Sequence, residues 1–195
     1  MTGPPPTTTL DHMTRFKDFA AACWAAAAAV LLLPGLIAAS HWDAPFSWWH
    51  NNISDLGETR APWHLYANAS FIATGVLVAI GTIAHTRGPA RMLLLAGSFG
   101  YLLAGFFPAD THENPHVLGA FLVMGVGNAG LLLVSRPFGA AAAIGTVAFF
   151  ALDAPIMERV AVYPLLLWAG WTGVSILARV PLPEWSSLSP PRRSR

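Results

Sequence analysis

The feature that most constrains this chain is a set of six long runs without a single Asp, Glu, Lys or Arg. A membrane-spanning helix needs about 20 predominantly apolar residues, with a usable range of about 17 to 25. Five of the runs reach that length, and the fifth in order is short at 16 residues. We therefore predict an all-α fold, a polytopic membrane protein with a bundle of six transmembrane helices. The runs cover residues 19–40, 61–86, 92–109, 114–135, 137–152 and 160–178.

The first run has a second interpretation. Arg15 and Lys17 precede it, and Ala38-Ala39-Ser40 resembles the cleavage site of a secretory signal peptide. Its 22 residues are long for the apolar region of a signal peptide, which spans about 7 to 15 residues. The length therefore favours a retained transmembrane helix.

Composition narrows the class of protein. Charged residues make up 11% of the chain and hydrophobic residues 54%, whereas soluble domains carry about 25% charged residues. So few charges cannot cover the surface of a soluble enzyme or a nucleic-acid-binding protein, and we expect membrane lipid rather than nucleic acid as the partner. The apolar excess argues against a disordered chain. The single cysteine excludes an internal disulfide and a thiolate metal cluster.

The charges divide between the two sides of the predicted bundle. One set of loops and tails carries nine of the eleven bases, and the opposite set carries seven of the ten acids. Because short cytoplasmic loops are enriched in Lys and Arg, we predict an integral plasma-membrane protein with both termini in the cytoplasm. The inner bases are Arg15, Lys17, Arg87, Arg91, Arg136, Arg179, Arg192, Arg193 and Arg195; the outer acids are Asp43, Asp55, Glu58, Asp110, Glu113, Asp153 and Glu158.

The remaining organisation follows from the two ends of the chain. Residues 1–18 begin with a Pro- and Thr-rich stretch, and residues 181–195 are Pro-rich with a basic end, so we predict two disordered cytoplasmic tails flanking a membrane domain at 19–180.

In the third run, Ala96, Gly100 and Ala104 recur at four-residue spacing. Small residues at this spacing let helices approach closely, either within the bundle or in a homo-oligomer.

The outer loops hold most of the side chains that could do chemistry. Five of the seven histidines lie in or beside them, together with the seven acids. In the first outer loop, Ser54 and Asp55 are good caps for a local turn and Gly57 allows a positive φ, so the segment has a structural explanation as well as a catalytic one. The histidines are His41, His50, His64, His112 and His116.

The second outer loop contains a candidate metal site. Asp110, His112 and His116 are carboxylate and imidazole ligands that suit zinc. Asn114 is a good N-cap and Pro115 a good first helical residue, so we expect His116 to start helix four and His112 to lie outside it. The alternative to a zinc site is a pair of hydrogen-bonded or solvated histidines. At a helix N-terminus a neutral His116 could act as a base or bind a phosphate-bearing headgroup.

The segment before the sixth run contains Glu158 and Arg159. Arg159 is one of only two bases among the outer acids, and we expect it to pair with Glu158, Asp55 or Asp110. Such a pair could brace two loops or hold a substrate.

Two asparagines lie deep in the predicted helices. Asn68 is about 9 Å below the outer end of helix two, and Asn128 is about 18 Å below His116, at 1.5 Å per residue. Polar side chains at this depth face the bundle interior. They either bond neighbouring helices or line an outward-opening polar cavity.

Three segments, in this order, carry a family resemblance. They are Asn52-Ile53-Ser54-Asp55-Leu56-Gly57, then Phe107-Pro108 with a downstream His116, then Glu158-Arg159-Val160 leading into a span with Trp168. Over about residues 19 to 180 the chain resembles the membrane family called domain of unknown function 998, and more distantly the Ile-Ser-Asp motif of six-span DRAM-like proteins. The resemblance implies a six-helix bundle and marks Ser54, Asp55, Gly57, His116, Glu158 and Arg159. It implies no reaction.

A second comparison is with alkaline-ceramidase-like membrane hydrolases, in which a serine, an aspartate and three histidines build a zinc site. Here Ser54, Asp55, His112 and His116 are present, and His50 or His64 would have to supply the third histidine. The chain departs from that pattern in having six spans rather than seven and no histidine pair in its last helix.

Two functions remain open. The first is a lipid-modifying enzyme, a hydrolase or transferase, acting on a lipid or lipid-linked substrate at the outer face. Its candidate catalytic residues are Ser54, Asp55, His116, Glu158 and Arg159, and its candidate metal ligands are Asp110, His112 and His116. The second is a non-catalytic lipid-handling, transport or membrane-assembly protein whose outer motifs are structural.

Overall fold

The computed structural model describes residues 9–43 and 45–182. These residues form six long helices and no strand. The helices are α1 Thr9–Ser40, α2 His64–His85, α3 Gly88–Phe106, α4 Glu113–Val134, α5 Arg136–Leu152 and α6 Pro155–Leu177. A short 3-10 helix, Ser54–Gly57, lies in the first outer loop, and residues Leu122–Gly127 of α4 are π-helical.

Five of the helices are long and apolar enough to cross a membrane, and α5, with 17 residues, is shorter. This agrees with the prediction of five full-length spans and a short fifth in order. α5 ends at Leu152 because Asp153 adopts a left-handed conformation with φ of 48°, and Pro155 then begins α6. The chain therefore has the architecture of a polytopic helical membrane protein.

The helices form a closed ring in chain order. Each one packs against the next, and α6 packs back against α1. Glycines permit the close approaches: a Cβ on Gly81 of α2 would lie 2.1 Å from the ring of Trp24 in α1, and one on Gly145 of α5 would lie 2.5 Å from the backbone of α6. The predicted close packing at Gly100 is confirmed, because a Cβ at this position would lie 2.5 Å from the Gly119 carbonyl oxygen of α4. That contact is within one chain.

Three helix starts differ from the sequence-based expectation. α1 begins at Thr9, so residues 9–18 are helical rather than part of a disordered tail; residues 1–8 and 183–195 lie outside the described residues. α4 begins at Glu113 with His112 at the N-cap, two residues earlier than the expected N-cap at Asn114, and His116 is its fourth residue. α6 begins at Pro155, which places Glu158 and Arg159 in its first turns instead of a loop.

Asn128, the deeper of the two asparagines, forms hydrogen bonds to neighbouring helices. Asn128 Nδ2 donates to the Ala161 carbonyl at 2.9 Å and to Thr146 Oγ1 at 3.0 Å. Thr146 Oγ1 in turn donates to the carbonyl of Met124 at 2.9 Å, in the π-helical segment of α4, where the regular hydrogen-bond ladder is interrupted. Of the two explanations for a deep Asn128, the structure thus supports interhelical hydrogen bonding.

Candidate functional site

The first outer loop is fastened to α6 by Glu158. The Ile53 N–H donates a short hydrogen bond to Glu158 Oε2 at the start of the 3-10 helix. Both residues are buried. A carboxylate at this position accepts from a backbone N–H that has no partner within the short helix, which stabilises the turn.

Arg159 fastens the same loop from the other side. Its Nη1 donates to the carbonyl of Asn51 at 2.9 Å and to that of Pro155 at 3.2 Å. The guanidinium carbon lies 5.1 Å from the centre of the Trp48 ring and 5.8 Å from that of Phe46, within cation–π range. Arg159 is only 6% exposed.

The expected pairing of Arg159 with an acid is wrong for the described residues. No ion pair joins it to Glu158, Asp55 or Asp110, because backbone carbonyls and aromatic rings surround the guanidinium instead. The other outer base, Arg60, forms the ion pair, with Glu58.

Asp55 closes the loop onto itself. Its Oδ2 accepts hydrogen bonds from Asn51 Nδ2 at 3.1 Å and from the Asn52 N–H at 3.0 Å. At the other end of the 3-10 helix, Asn68 Nδ2 donates to the Gly57 carbonyl at 2.9 Å. A Cβ at Gly57 would lie 2.2 Å from Asn68 Oδ1, so a larger residue here would displace the Asn68 side chain. We call Asn51, Asp55, Glu158 and Arg159 the loop anchor.

Asp110 joins the second outer loop to the first. Its Oδ2 accepts from the Thr59 N–H at 2.9 Å and from Thr59 Oγ1 at 2.5 Å. These hydrogen bonds lower the pKa of Asp110, because they favour the charged form. The carboxylate is exposed.

The predicted zinc ligands do not come together. Asp110 is bonded to Thr59, and His112 Nδ1 lies 3.0 Å from Thr111 Oγ1 on the surface, whereas His116 is buried in the bundle. Within residues 9–43 and 45–182, no three His, Cys, Asp or Glu side chains form a group that could hold a metal ion. The donor set of the predicted zinc site is therefore not assembled.

His116 has the geometry of an oriented base. Its Nδ1 lies 2.8 Å from the carbonyl of Phe107. Because a carbonyl only accepts hydrogen bonds, Nδ1 carries the proton, and in the neutral ring Nε2 is then an acceptor. The side chain is 7% exposed.

Two spaces meet at His116. A cleft of about 520 Å³ opens between the outer parts of α4 and α5, with apolar walls that include Val117, Phe121, Phe149 and Phe150. A smaller cavity of about 40 Å³ lies further inside, beside Phe71, Tyr101 and Val162. Both spaces are lined by Ser54, His116 and Glu158. The cleft forms because the outer part of α4 packs on α3, whereas the part beyond the π-helical segment packs on α5 as well.

The inner cavity includes a residue that the sequence interpretation missed. Tyr101 is 2% exposed and lines the cavity, and its hydroxyl has no hydrogen-bond partner within residues 9–43 and 45–182. It lies within electrostatic reach of Glu158. It lies five residues, about 7.5 Å, below the outer end of α3. Tyrosines in membrane proteins concentrate at the interface. The position of Tyr101 well below the interface is the sequence feature that could have identified it.

Of the predicted site residues, the structure thus gathers Ser54, His116 and Glu158 around one cleft and places Asp55 and Arg159 in the loop anchor. Comparison with curated proteins found no match, and comparison with solved structures found none either. The family model described as "Protein of unknown function (DUF998)" matches residues 25–180, which is most of the chain. The protein therefore belongs to the DUF998 family.

Proposed function

We propose that this chain is a plasma-membrane protein, with both termini in the cytoplasm, that binds a lipid of the outer leaflet and modifies it as a hydrolase or transferase. The observation that carries the proposal is the lateral cleft, which ends in polar side chains. Its volume, about 520 Å³, lies within the range of about 300 to 1,000 Å³ that is usual for ligand sites. The excess of inner bases supports the orientation.

The cleft walls suit an acyl chain. Val117, Phe121 and Phe150 are each more than half exposed on the outside of the bundle, where lipid would surround them. An acyl chain lying along these side chains would bring the polar end of the lipid to Ser54, His116 and Glu158. Ligand sites of this kind combine apolar walls with a few polar groups that set orientation.

In this proposal His116 is the general base. Its Nδ1–H bond to the Phe107 carbonyl fixes the ring and leaves Nε2 able to accept a proton. Ser54 supplies a hydroxyl at the same point, and Glu158 holds the loop that carries Ser54. Asp55 and Arg159 act through the loop anchor rather than on the lipid.

The test uses purified protein in vesicles of phosphatidylethanolamine, phosphatidylglycerol, cardiolipin and diacylglycerol, with products followed by mass spectrometry. The wild type should convert one of these lipids. His116→Gln should lower turnover by at least about 100-fold, the scale of general acid–base catalysis, while the thermal stability of the protein changes little.

His64→Gln is the matched control. His64 Nδ1 also lies 2.8 Å from a backbone carbonyl, that of Ala61, but His64 lines neither space. It should retain wild-type turnover. Equal loss in both variants, or no conversion of any lipid by the wild type, contradicts the enzymatic proposal.

A second candidate is a non-catalytic lipid-handling, transport or assembly protein. The loop anchor favours it, because Asp55 and Arg159 form hydrogen bonds within the protein. In that case lipid should co-purify with the wild type and be lost from Phe121→Arg, which places a charge in the cleft wall, without any chemical change in the lipid.

A further inference from the structure

The two spaces at His116 differ in size in a way that bears on the reaction. The inner cavity is about 40 Å³ and the cleft is about 520 Å³, and Ser54, His116 and Glu158 border both. A water molecule needs about 10 to 15 Å³ of such space, so the inner cavity has room for about three or four waters. Its volume is far below that of a second lipid molecule.

The groups around the inner cavity suit water. A buried water usually makes about three hydrogen bonds to polar groups. The Tyr101 hydroxyl is buried without a partner among the described residues, and His116 and Glu158 border the same space. Leaving such a hydroxyl unsatisfied is unfavourable, and a bound water would satisfy it.

The charged residues around the two spaces narrow the class of substrate. Among the described residues, the linings of the cleft and the inner cavity include no Lys or Arg. Arg159 is adjacent in sequence but lines neither space: its guanidinium lies against Trp48 and Nη1 donates to the Asn51 carbonyl, whereas Nε and Nη2 have no partner among the described residues. A phosphate at the end of the cleft would therefore lie beside Glu158 with no Lys or Arg in the lining of either space. A neutral acyl ester carries no such cost.

We propose that the protein is an acyl-ester lipid hydrolase in which the inner cavity holds the attacking water and the cleft holds the acyl chain. This inference rests on the proposed function. It predicts hydrolysis rather than transfer to a second lipid, because the small space that borders His116 and Tyr101 has room for water.

The step balances without an oxidant or reductant. The water oxygen forms a bond to the ester carbonyl carbon while His116 Nε2 accepts a proton from it. The bond between that carbon and the alcohol oxygen then breaks, and Nε2 returns the proton to the departing alcohol. The products are a fatty acid and an alcohol. Tyr101 is a positioning residue that acts through the water.

The test is turnover in H₂¹⁸O with the same vesicles. The released fatty acid should carry one ¹⁸O in its carboxyl group, and the alcohol should carry none. Turnover without ¹⁸O in the acid, ¹⁸O found only in a phosphate, or an acyl group recovered on a second lipid overturns the hydrolase assignment and leaves the proposed lipid-modifying function standing. No turnover of any lipid overturns both.

Tyr101→Phe separates a positioning role from a structural one. It removes only the hydroxyl, which has no partner in the part of the chain that the structure describes, so stability should not fall. We expect kcat to drop at least about tenfold, equal to about 1.4 kcal/mol, with KM unchanged, because the lipid binds in the cleft. An unchanged kcat, or a rise in KM alone, contradicts the role assigned to the inner cavity.

Discussion

The loop anchor and the cleft are neighbouring polar regions that use their side chains differently. In the loop anchor, Asp55 accepts two hydrogen bonds and Arg159 donates two, all within the protein. At the cleft and the inner cavity, the Tyr101 hydroxyl has no partner among the described residues and His116 uses Nδ1 for a hydrogen bond that leaves Nε2 as an acceptor. Arg159 Nε and Nη2 are also buried without a hydrogen-bond partner among the described residues. The two regions therefore differ in what their side chains contact: Asp55 and Arg159 bond the first outer loop, whereas His116 and Tyr101 line a space.

This difference shows why charge alone is a poor guide to function here. Arg159 and Asp55 are conspicuous in a chain with few charges, yet they hold a loop of 23 residues between α1 and α2 on the bundle. Tyr101 is neutral and inconspicuous, yet it faces the inner cavity. Variants of the loop anchor should lower stability first, and variants of the cleft should lower activity first.

The largest loss of stability is expected from Arg159→Leu. The substitution removes a buried group that donates two hydrogen bonds and packs on Trp48. Hydrogen bonds to charged groups contribute about 1.5 to 3 kcal/mol, so the free energy of unfolding should fall by about 3 kcal/mol. Thermal unfolding can be followed with a thiol-reactive dye, because Cys23 is the single cysteine and is buried.

Arg179→Leu is the matched control on the opposite side of the bundle. Arg179 forms an ion pair with Asp18 at 3.1 Å, but its side chain is 67% exposed, and exposed pairs contribute about 0 to 1 kcal/mol. Equal destabilisation by the two variants would contradict the distinction between a buried anchor and a surface pair.

The sequence predicts the spans well and the loop contacts poorly, for physical reasons. The bilayer sets the length of an uncharged run, so the runs at 61–86 and 114–135 correspond to α2 and α4. The partners of Arg159 depend on how the first outer loop folds, and neither periodicity nor bilayer thickness constrains that loop. The helical N-terminal segment from Thr9 was missed because the bilayer argument says nothing about helix outside the membrane.

The candidate site was predicted in part. His116 and Ser54 were identified from short motifs and do border the same cleft. The predicted zinc site required Asp110, His112 and His116 to converge, and they do not. Asp110 accepts a hydrogen bond from Thr59 instead, and His112, at the N-cap of α4, lies on the surface. Residues that are close in sequence at the start of a helix can point their side chains in different directions.

A smaller loss of stability is expected from substitution of Asp55. Comparing Asp55→Ala with Asp55→Asn separates loss of the hydrogen bonds from loss of the charge. Asp55→Ala loses the hydrogen bonds from Asn51 and Asn52 and should destabilise the protein by about 1 to 2 kcal/mol. Both bonds go to one oxygen, Oδ2, so the amide oxygen of Asp55→Asn can replace it with little loss. Thermal unfolding and lipid turnover should be measured on both.

The pair of variants also tests the division between anchor and cleft. Turnover by Asp55→Asn should stay near that of the wild type. A folded Asp55→Asn protein without turnover would instead place this carboxylate in the reaction, and the proposed boundary between the two regions would be wrong.

The smallest effect is a pH dependence at Asp110, outside both regions. Its two hydrogen bonds from Thr59 hold the pKa of Asp110 below the ordinary value of about 3.9. A lowered folded-state pKa means that the stabilisation is fully present above the unfolded-state pKa and is lost as the pH falls through the folded-state pKa. The difference in melting temperature between the wild type and Asp110→Asn should therefore be constant from about pH 7 to 5 and change only below about pH 4. Because the carboxylate is exposed, the change should be less than that of either anchor variant. A change in this melting-temperature difference near pH 6 would instead indicate the titration of a histidine. The pH dependence of the outer face would then involve more than Asp110.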